Sequence, residues 1–350
     1  MPDSNSPQTP ATTKPLVSIV VVNFNCEKWL PGFFDALLAQ SLIGQCEVLF
    51  VDNCSKDRSV QLCREALPRF PNARMVESSV NLGFGEGCNL GASHASADIL
   101  YFVNSDCWFE KDCIRILYEA ALQAPPDHAI FSAVEYGFDS HDPTIGSHSR
   151  GSSGFDLFGC QVKSHRQQDL FTVGTFFFIR RSAFEKVGRF DSRFFVYGEE
   201  QDLSWRIVLA GQKIRLVDKA VIHHQATTST NAEGVTTEFR RFYANRNQLM
   251  MILINSSSVL CLMSVSYTIL ILIEALAGAV LARKLSFIHT SVVKPWLSCI
   301  ALRGHILERR RFLRTIRRHG DGWMISHFFR LGFGHWDDIR RFLNFNVKIK

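Results

Sequence analysis

Ten cysteines are scattered through the 350 residues without one CxxC pair, which excludes a zinc ribbon and a thioredoxin-type redox motif and fits free thiols in a reducing cytosol. Eleven prolines and 22 glycines follow no triplet register, so a collagen-like fibre is excluded. Nothing repeats at solenoid or propeller spacing. No glycine-rich stretch spells GxGxxG in register, which disfavours a dinucleotide fingerprint. Long apolar runs are scarce too: one candidate stretch lies near the C-terminus, too little for a channel or polytopic carrier. Residues Met1–Lys14 lack the charged start and apolar stretch of a signal peptide; they are expected to be a disordered leader on a chain that begins in the cytoplasm.

What the sequence does contain is enough apolar material for a large core. Hydrophobic residues make up 46% and charged residues 21%, with a mean hydropathy of +0.02. The length suggests one large catalytic-size domain and an appendage. The net charge of +6 hides an asymmetry. Arg283 to Lys350 holds fifteen Lys and Arg against four Asp and Glu, which leaves 24 basic and 29 acidic residues in 1–282. The basic character therefore belongs to the tail, where Arg309, Arg310, Arg311, Arg314, Arg317 and Arg318 cluster. Such a cluster suits an anionic membrane surface or a solvated helix face, and no nucleic-acid partner is expected.

Val17-Ser18-Ile19-Val20-Val21-Val22 reads as a strand buried on both faces and ending at Asn23. A helical stretch over 27–39 and a second strand, Cys46 to Val51, complete a βαβ unit. Asp57 is placed to cap a helix reaching Leu67. Ala73 to Glu77 is a weaker strand and Ile99 to Val103 a strong one. Polar residues recur where these strands stop. In an open α/β sheet the carboxyl ends of strands border the ligand crevice, so Asn23, Asn25, Asp52, Asn53, Asn104 and Asp106 should share one edge. Residues 137–169 are rich in Gly, Ser and His and read as an excursion from the fold. Beyond it regular structure resumes with Thr172 to Arg180, followed by a helix near Ser182 to Val187, a helix from the Gly198-Glu199-Glu200-Gln201-Asp202 junction to Leu209, and short strands at Lys213–Val217 and Ala220–His223.

From Asn247 to Ala282 the sole formal charge is Glu274, and Val259 to Leu281 is long enough to cross a bilayer as a helix. A single span would place the basic tail across the membrane from a cytosolic domain, against the positive-inside rule. The favoured expectation is therefore an interfacial or re-entrant helix pair with its tail on anionic lipid at the inner face of the membrane. A true span, or a helical pair buried in the domain or in a homo-oligomer contact, are the alternatives.

Five constellations carry candidate chemistry. Asn104-Ser105-Asp106 ends an apolar strand with the carboxylate that a nucleotide-bound divalent cation needs, or with a simple helix cap. Asp52-Asn53 offers an acceptor to a pyrimidine imide, or a turn. Asn81-Leu82-Gly83-Phe84-Gly85-Glu86-Gly87-Cys88-Asn89-Leu90-Gly91 opens a helix with glycines that let backbone approach a nucleotide. Glu199-Glu200-x-Asp202 gathers three carboxylates whose mutual repulsion favours a high proton affinity in one of them, although acids also suit a helix N-terminus. His223-His224 supplies imidazole for a metal or a structural pair.

In order and spacing these motifs resemble glycosyltransferase family 2, especially its bacterial rhamnosyltransferase-like members. The similarity runs from Val17–Asn25 through Val51–Ser59, Asn81–Phe84, Asn89–Gly91 and Val103–Asp106. It continues through Gly174–Arg181, Gly188–Asp191 and Phe194–Leu203 to His223, over residues 16–247. The resemblance implies a GT-A fold: a mixed α/β sheet flanked by helices at 15–246, followed by an α-helical membrane-associating extension at 247–350. It also implies a nucleotide-diphosphate sugar donor, dTDP- or UDP-linked, a divalent cation (Mg²⁺ or Mn²⁺), and inverting transfer of rhamnose or another hexose. The acceptor would be a glycan or lipid-linked saccharide in cell-surface polysaccharide synthesis. Carried over, Glu200 is the general base with Glu199 its competitor, and Asp106 and His223 are the metal ligands. Asn23, Asn25, Asp52, Asn53, Asn81, Gly83, Asn89, Asn104 and Asp106 lie at the donor, and Asp191, Asp202 and Trp205 on the acceptor side. Asn104 stands where the metal motif more often begins with Asp, and Glu200 where Asp is usual, a reach longer by one methylene. The QxxRW motif of processive synthases is absent after Glu200, so transfer of one or a few sugars is expected. A nucleotidyltransferase or nicotinamide-dependent oxidoreductase is the other enzyme class, and a non-catalytic membrane-surface binder the third reading.

Overall fold

A computed structural model describes residues 14–137, 152–162, 169–174, 176–224 and 237–330. Most of the expected leader, most of the 137–169 excursion and the last twenty residues of the basic tail lie outside the described residues.

The first half alternates strand and helix: β1 (Val17–Asn23), α1 (Leu30–Leu38), β2 (Cys46–Asp52), α2 (Ser59–Ala66), β3 (Ala73–Glu77), α3 (Phe84–His94) and β4 (Ile99–Asn104). Then follow β5 (Cys107–Phe109), α4 (Cys113–Gln123), β6 (His128–Gly137) and three two-residue strands, β7 (Gly154–Phe155), β8 (Gln161–Val162) and β9 (Asp169–Leu170). The domain continues with β10 (Phe177–Arg180), α5 (Arg181–Lys186), α6 (Glu199–Leu209) and β11 (Lys213–His224). Six helices complete the described chain: α7 (Thr237–Asn255), α8 (Met263–Ala282), α9 (Ser286–Ile288), α10 (Lys294–Ala301), α11 (Arg303–Ile316) and α12 (Asp321–Phe328).

The main sheet runs β3-β2-β1-β4-β10-β6-β11-β5, with β9 also paired to β11. The first four strands are parallel, β10 is antiparallel to both its neighbours, and β11 runs parallel to β6. Chain order reverses at β1, whose neighbours are β2 on one side and β4 on the other, so the ligand crevice belongs at the ends of β1 and β4. Every residue of β1 is buried. Val20 and Val22 enter one core and Val17, Ile19 and Val21 the other, as the two-residue period of a strand covered on both faces requires.

Two expectations change in detail. His128–Gly137, not anticipated from its pattern, is a ten-residue central strand. The two short strands expected near residues 213 and 220 are one strand, β11, whose register against β6 shifts between Val217 and Val221, so that Asp218 and Lys219 fall within the irregularity. The C-terminal helices share the larger core: Leu249, Ile252, Met263, Tyr267, Ile271, Cys299, Ile306, Leu313 and Met324 pack into the same cluster as Phe177, Phe184 and Trp205.

Candidate functional site

Asn23 ties three strand ends together beneath the crevice. Its amide donates to Asp52 Oδ1 and to Ser55 Oγ, both at 3.2 Å, and its Oδ1 accepts from Ser105 Oγ at 3.0 Å. Asp52 is buried, and its other oxygen accepts the Ser55 amide at 3.0 Å. Asn25, left-handed with φ 51°, accepts the Lys56 amide on Oδ1 at 2.7 Å. The polar residues that end β1, β2 and β4 thus meet, as their positions in the sheet require.

The glycine-rich segment is held by hydrogen bonds from its neighbours. Asn53 donates to Asn81 Oδ1 and to the Gly83 carbonyl, both at 3.1 Å, and accepts the Leu82 amide at 2.8 Å. Both amide hydrogens are thereby used. Asn89 donates to the Phe190 carbonyl at 3.0 Å and accepts the Phe190 amide at 3.1 Å. Gly83, at φ +79°, lies so near the 194–198 segment that an added Cβ would sit 1.9 Å from the Phe195 carbonyl oxygen. Of the residues expected at the donor, Asn53 and Asn81 therefore fasten the end of β2 to the loop before α3, and Gly83 and Asn89 set α3 against Phe195 and Phe190, in the segment that leads into Glu199 and Glu200.

That segment is strained. Phe195 and Tyr197 have φ of 63° and 67°, unusual for aromatic residues, and Gly198 follows at 86°. It is held from α7, where Asn247 Nδ2 lies 2.6–2.8 Å from the carbonyls of Phe194, Val196 and Tyr197 and Arg246 donates to those of Arg193 and Phe194. Sequence reasoning missed both residues, because nothing local links α7 to a turn fifty positions earlier.

Asp106 sits between β4 and β5, well before α4, so it is not a helix cap. Its Oδ1 lies 3.2 Å from Nε2 of His224, whose Nδ1 is 2.7 Å from Glu135 Oε1. Burial disfavours the imidazolium, but hydrogen bonds to Asp106 and Glu135 and their charges outweigh it and raise His224 to about 10. His223 was the expected ligand, and the structure turns it away. Successive strand residues face opposite sides, so with His224 at Asp106, His223 instead meets Glu110 at 2.9 Å and stacks between Trp108 and Tyr136. Glu135 was also missed; an isolated acid near the carboxyl end of an apolar run was its one signal.

Glu200, the second residue of α6, lies within electrostatic reach of this group. Burial and the Glu135 charge raise its pKa to about 7, while the cationic His224 pulls the other way. Glu199 is buried more completely, and burial with its neighbour Glu200 pushes it well above the ordinary carboxylate range. An aromatic-walled cavity of about 410 Å³ opens beside Asp106, lined by Trp29, Gly32, Phe33, Ala36, Cys107 and Trp108.

The expected acceptor-side residues lie elsewhere. Asp202, 1% exposed, accepts from Arg206 Nε and Nη2 at 2.9 and 2.7 Å and from Asn255 at 2.8 Å. Trp205, 1% exposed, stacks on Phe155 in the core. Asp191 is bound by His305 at 2.8 Å and the Arg193 amide at 3.0 Å, beside Arg309. Burial alone would raise Asp191, yet these partners hold it below its ordinary value. A helix that starts at Glu199 turns positions 202 and 205 onto the face opposite the crevice, with hydrophobic residues around them.

Among the described residues no three His, Cys, Asp or Glu side chains converge on one metal position. Asp106 and His224 form a two-donor set, oxygen and imidazole. A nucleotide-bound Mg²⁺ or Mn²⁺, which takes its other ligands from phosphate and water, fits such a set, and loading it would expel the shared proton.

The family model for glycosyl transferase family 2 matches residues 18–188. The chain carries a family 2 glycosyltransferase domain. Among its relatives is polypeptide N-acetylgalactosaminyltransferase 6 of Mus musculus, 24% identical over 238 residues that cover 62% of this chain and 38% of that protein. Another is the N-acetylglucosaminyl-diphospho-decaprenol L-rhamnosyltransferase of Mycobacterium tuberculosis, 29% identical over 60% of this chain and 76% of that one. The chain spans well under half the length of the N-acetylgalactosaminyltransferases it matches. The structure of GalNAc-T7 with UDP, GalNAc and Mn²⁺ superposes with a TM-score of 0.62 at 13% identity, over 90% of this chain and 57% of that one. The family 2 domain thus has the GT-A fold, and β1, β2 and β4 and the strand-end residues fastened at Asn23 lie inside the matched region.

Proposed function

We propose that this chain is a cation-dependent, inverting glycosyltransferase that moves one sugar from a pyrimidine nucleotide diphosphate to a hydroxyl of a glycan or lipid-linked acceptor. The observation that carries the reading is Glu200: a carboxylate raised to about 7, at the start of α6, within electrostatic reach of the Asp106–His224–Glu135 group. The family 2 domain, the bacterial rhamnosyltransferase relative and the UDP- and Mn²⁺-bound structural neighbour support it, with a deoxyhexose such as rhamnose as the sugar.

Asp106 and His224 would hold the cation, whose chemistry is to neutralise the departing diphosphate. The frame at Asn23, Asp52 and Ser55 orients a carboxylate toward the donor's base. Glu200 removes the acceptor hydroxyl proton as that oxygen bonds the anomeric carbon from the face opposite the phosphate; the carbon–oxygen bond to diphosphate breaks and the configuration inverts. Glu199, more deeply buried and pushed up by that burial and by the Glu200 charge, keeps its proton and leaves the base role to Glu200.

Glu200→Gln tests this, because glutamine keeps the shape and removes the base. Transfer from dTDP- or UDP-sugar should fall by about 10²–10⁴-fold while nucleotide binding stays within a few-fold. Wild-type transfer should rise with pH through about 7 as Glu200 ionises, and that limb should vanish in the variant. Unchanged transfer by Glu200→Gln would remove Glu200 from the mechanism.

A further inference from the structure

Helix α8, whose single formal charge is Glu274, carries apolar side chains all round yet is buried on one side. Met263, Tyr267, Leu270, Ile271, Ala275 and Ala279 pack into the protein, whereas Val265, Ile269, Leu272, Ile273, Leu276 and Val280 face outward at three- and four-residue spacing. The outward row extends to Leu281 in the last turn and continues past both helix ends in Leu262 and Leu285. Beside it, Trp296 of α10 donates to Thr268 of α8 at 3.0 Å, and exposed Leu297 and Ile300 of α10, with Val293 just before it, add to the apolar surface. An apolar surface about 30 Å long, the length of α8, is far more than isolated surface leucines produce.

Its rim is basic. Arg283 and Lys284 are exposed at the end of α8, and Lys294 is exposed at the start of α10. Leu307, Arg311 and Arg314 are exposed along α11, and Arg318 is exposed just beyond its end. Residues 259–330 contain eleven Lys and Arg against three Asp and Glu. A second copy of the same face would oppose like charges across a two-fold axis, whereas an anionic surface complements them. The packing opposes crossing the bilayer: 39% of the apolar stretch Leu260–Leu281 is buried, and Met263, Tyr267, Leu270 and Ile271 within it belong to the core shared with the sheet.

We infer that the outward faces of α8 and α10 seat in the interfacial region of an anionic bilayer, with the basic rim on lipid phosphates and the crevice left in the cytosol. The helix lies along the membrane plane, as a monotopic anchor does. This placement brings a membrane-borne acceptor to the domain and does not itself depend on the transferase reading.

The test is flotation of the full chain with vesicles of phosphatidylcholine alone and of equimolar phosphatidylcholine and phosphatidylglycerol, without donor or acceptor. Binding to the anionic vesicles is expected, weakened by salt and released by an alkaline carbonate wash. Ile269→Gln and Ile273→Gln should each weaken it by roughly tenfold, and Arg311→Gln and Arg314→Gln by roughly fivefold each. All four sites are solvent-exposed, so thermal midpoints and nucleotide binding should not move. Equal binding by variants and wild type overturns the inference, as does retention after the carbonate wash, which would mean a span. A dimer in light scattering that dissociates in Ile269→Gln would assign the face to a second copy instead.

Discussion

Asp202→Asn separates two views of the acidic junction that the sequence leaves equal. In the structure the Asp202 carboxylate takes two bonds from Arg206 and one from Asn255, at 2.7–2.9 Å, with both ionic side chains 1% exposed or less. Arg206 in turn donates from Nη1 to the carbonyls of Val187 and Arg189, which fixes the turn after α5. Asparagine has one acceptor oxygen in place of two and no charge, so its NH₂ must face either the guanidinium or the Asn255 amide, and Arg206 is left as an uncompensated buried cation. Removing one partner from such a pair costs about 3–5 kcal/mol. At roughly 2 °C per kcal/mol for a large domain, the unfolding midpoint should fall by about 6–10 °C. Circular dichroism melts give the midpoint, and transfer kinetics measured well below it give KM. A midpoint within about 2 °C of wild type together with a raised acceptor KM would refute the structural role and return Asp202 to the acceptor site.

His224→Ala should raise the Mn²⁺ concentration needed for half-maximal activity by at least about tenfold, while His223→Ala should leave it nearly unchanged; the reverse ranking in a metal titration would reinstate His223. Gly83→Ala combines a φ of +79° with a Cβ placed 1.9 Å from the Phe195 carbonyl oxygen, so a loss of roughly 2–5 kcal/mol is expected in urea unfolding. A variant as stable as wild type would mean that the contact between α3 and the 194–198 turn is not tight.

The features legible in the sequence are those written in local pattern. Unbroken apolar runs such as Val17–Val22 and Ile99–Val103 require strands covered on both faces, and the polar residues that stop them fall together because parallel strands end on one edge. Asp106 and the raised Glu200 were legible for the same reason, each marking the end of a strand or the start of a helix. The strand at His128–Gly137 was harder: it is less uniformly apolar, and its pairing partners, β10 and β11, lie more than forty residues away. Trp205 and Asp202 look like site residues only until α6 is placed, when their side of the helix proves to be the core.

The sequence by itself determined the fold class, the crevice edge and the carboxylates that border it, since period, chain order and strand-end chemistry are properties of neighbouring residues. Only the tertiary structure decided which histidine meets Asp106, because the choice between His223 and His224 depends on which side of β11 faces the crevice. It also decided that Asn53, Asn81 and Asn89 fasten loops, and that Asn247 and Arg246 hold the strained turn before Glu200. Those roles are set by hydrogen bonds between segments up to a hundred residues apart, and such distances carry no periodic trace along the chain.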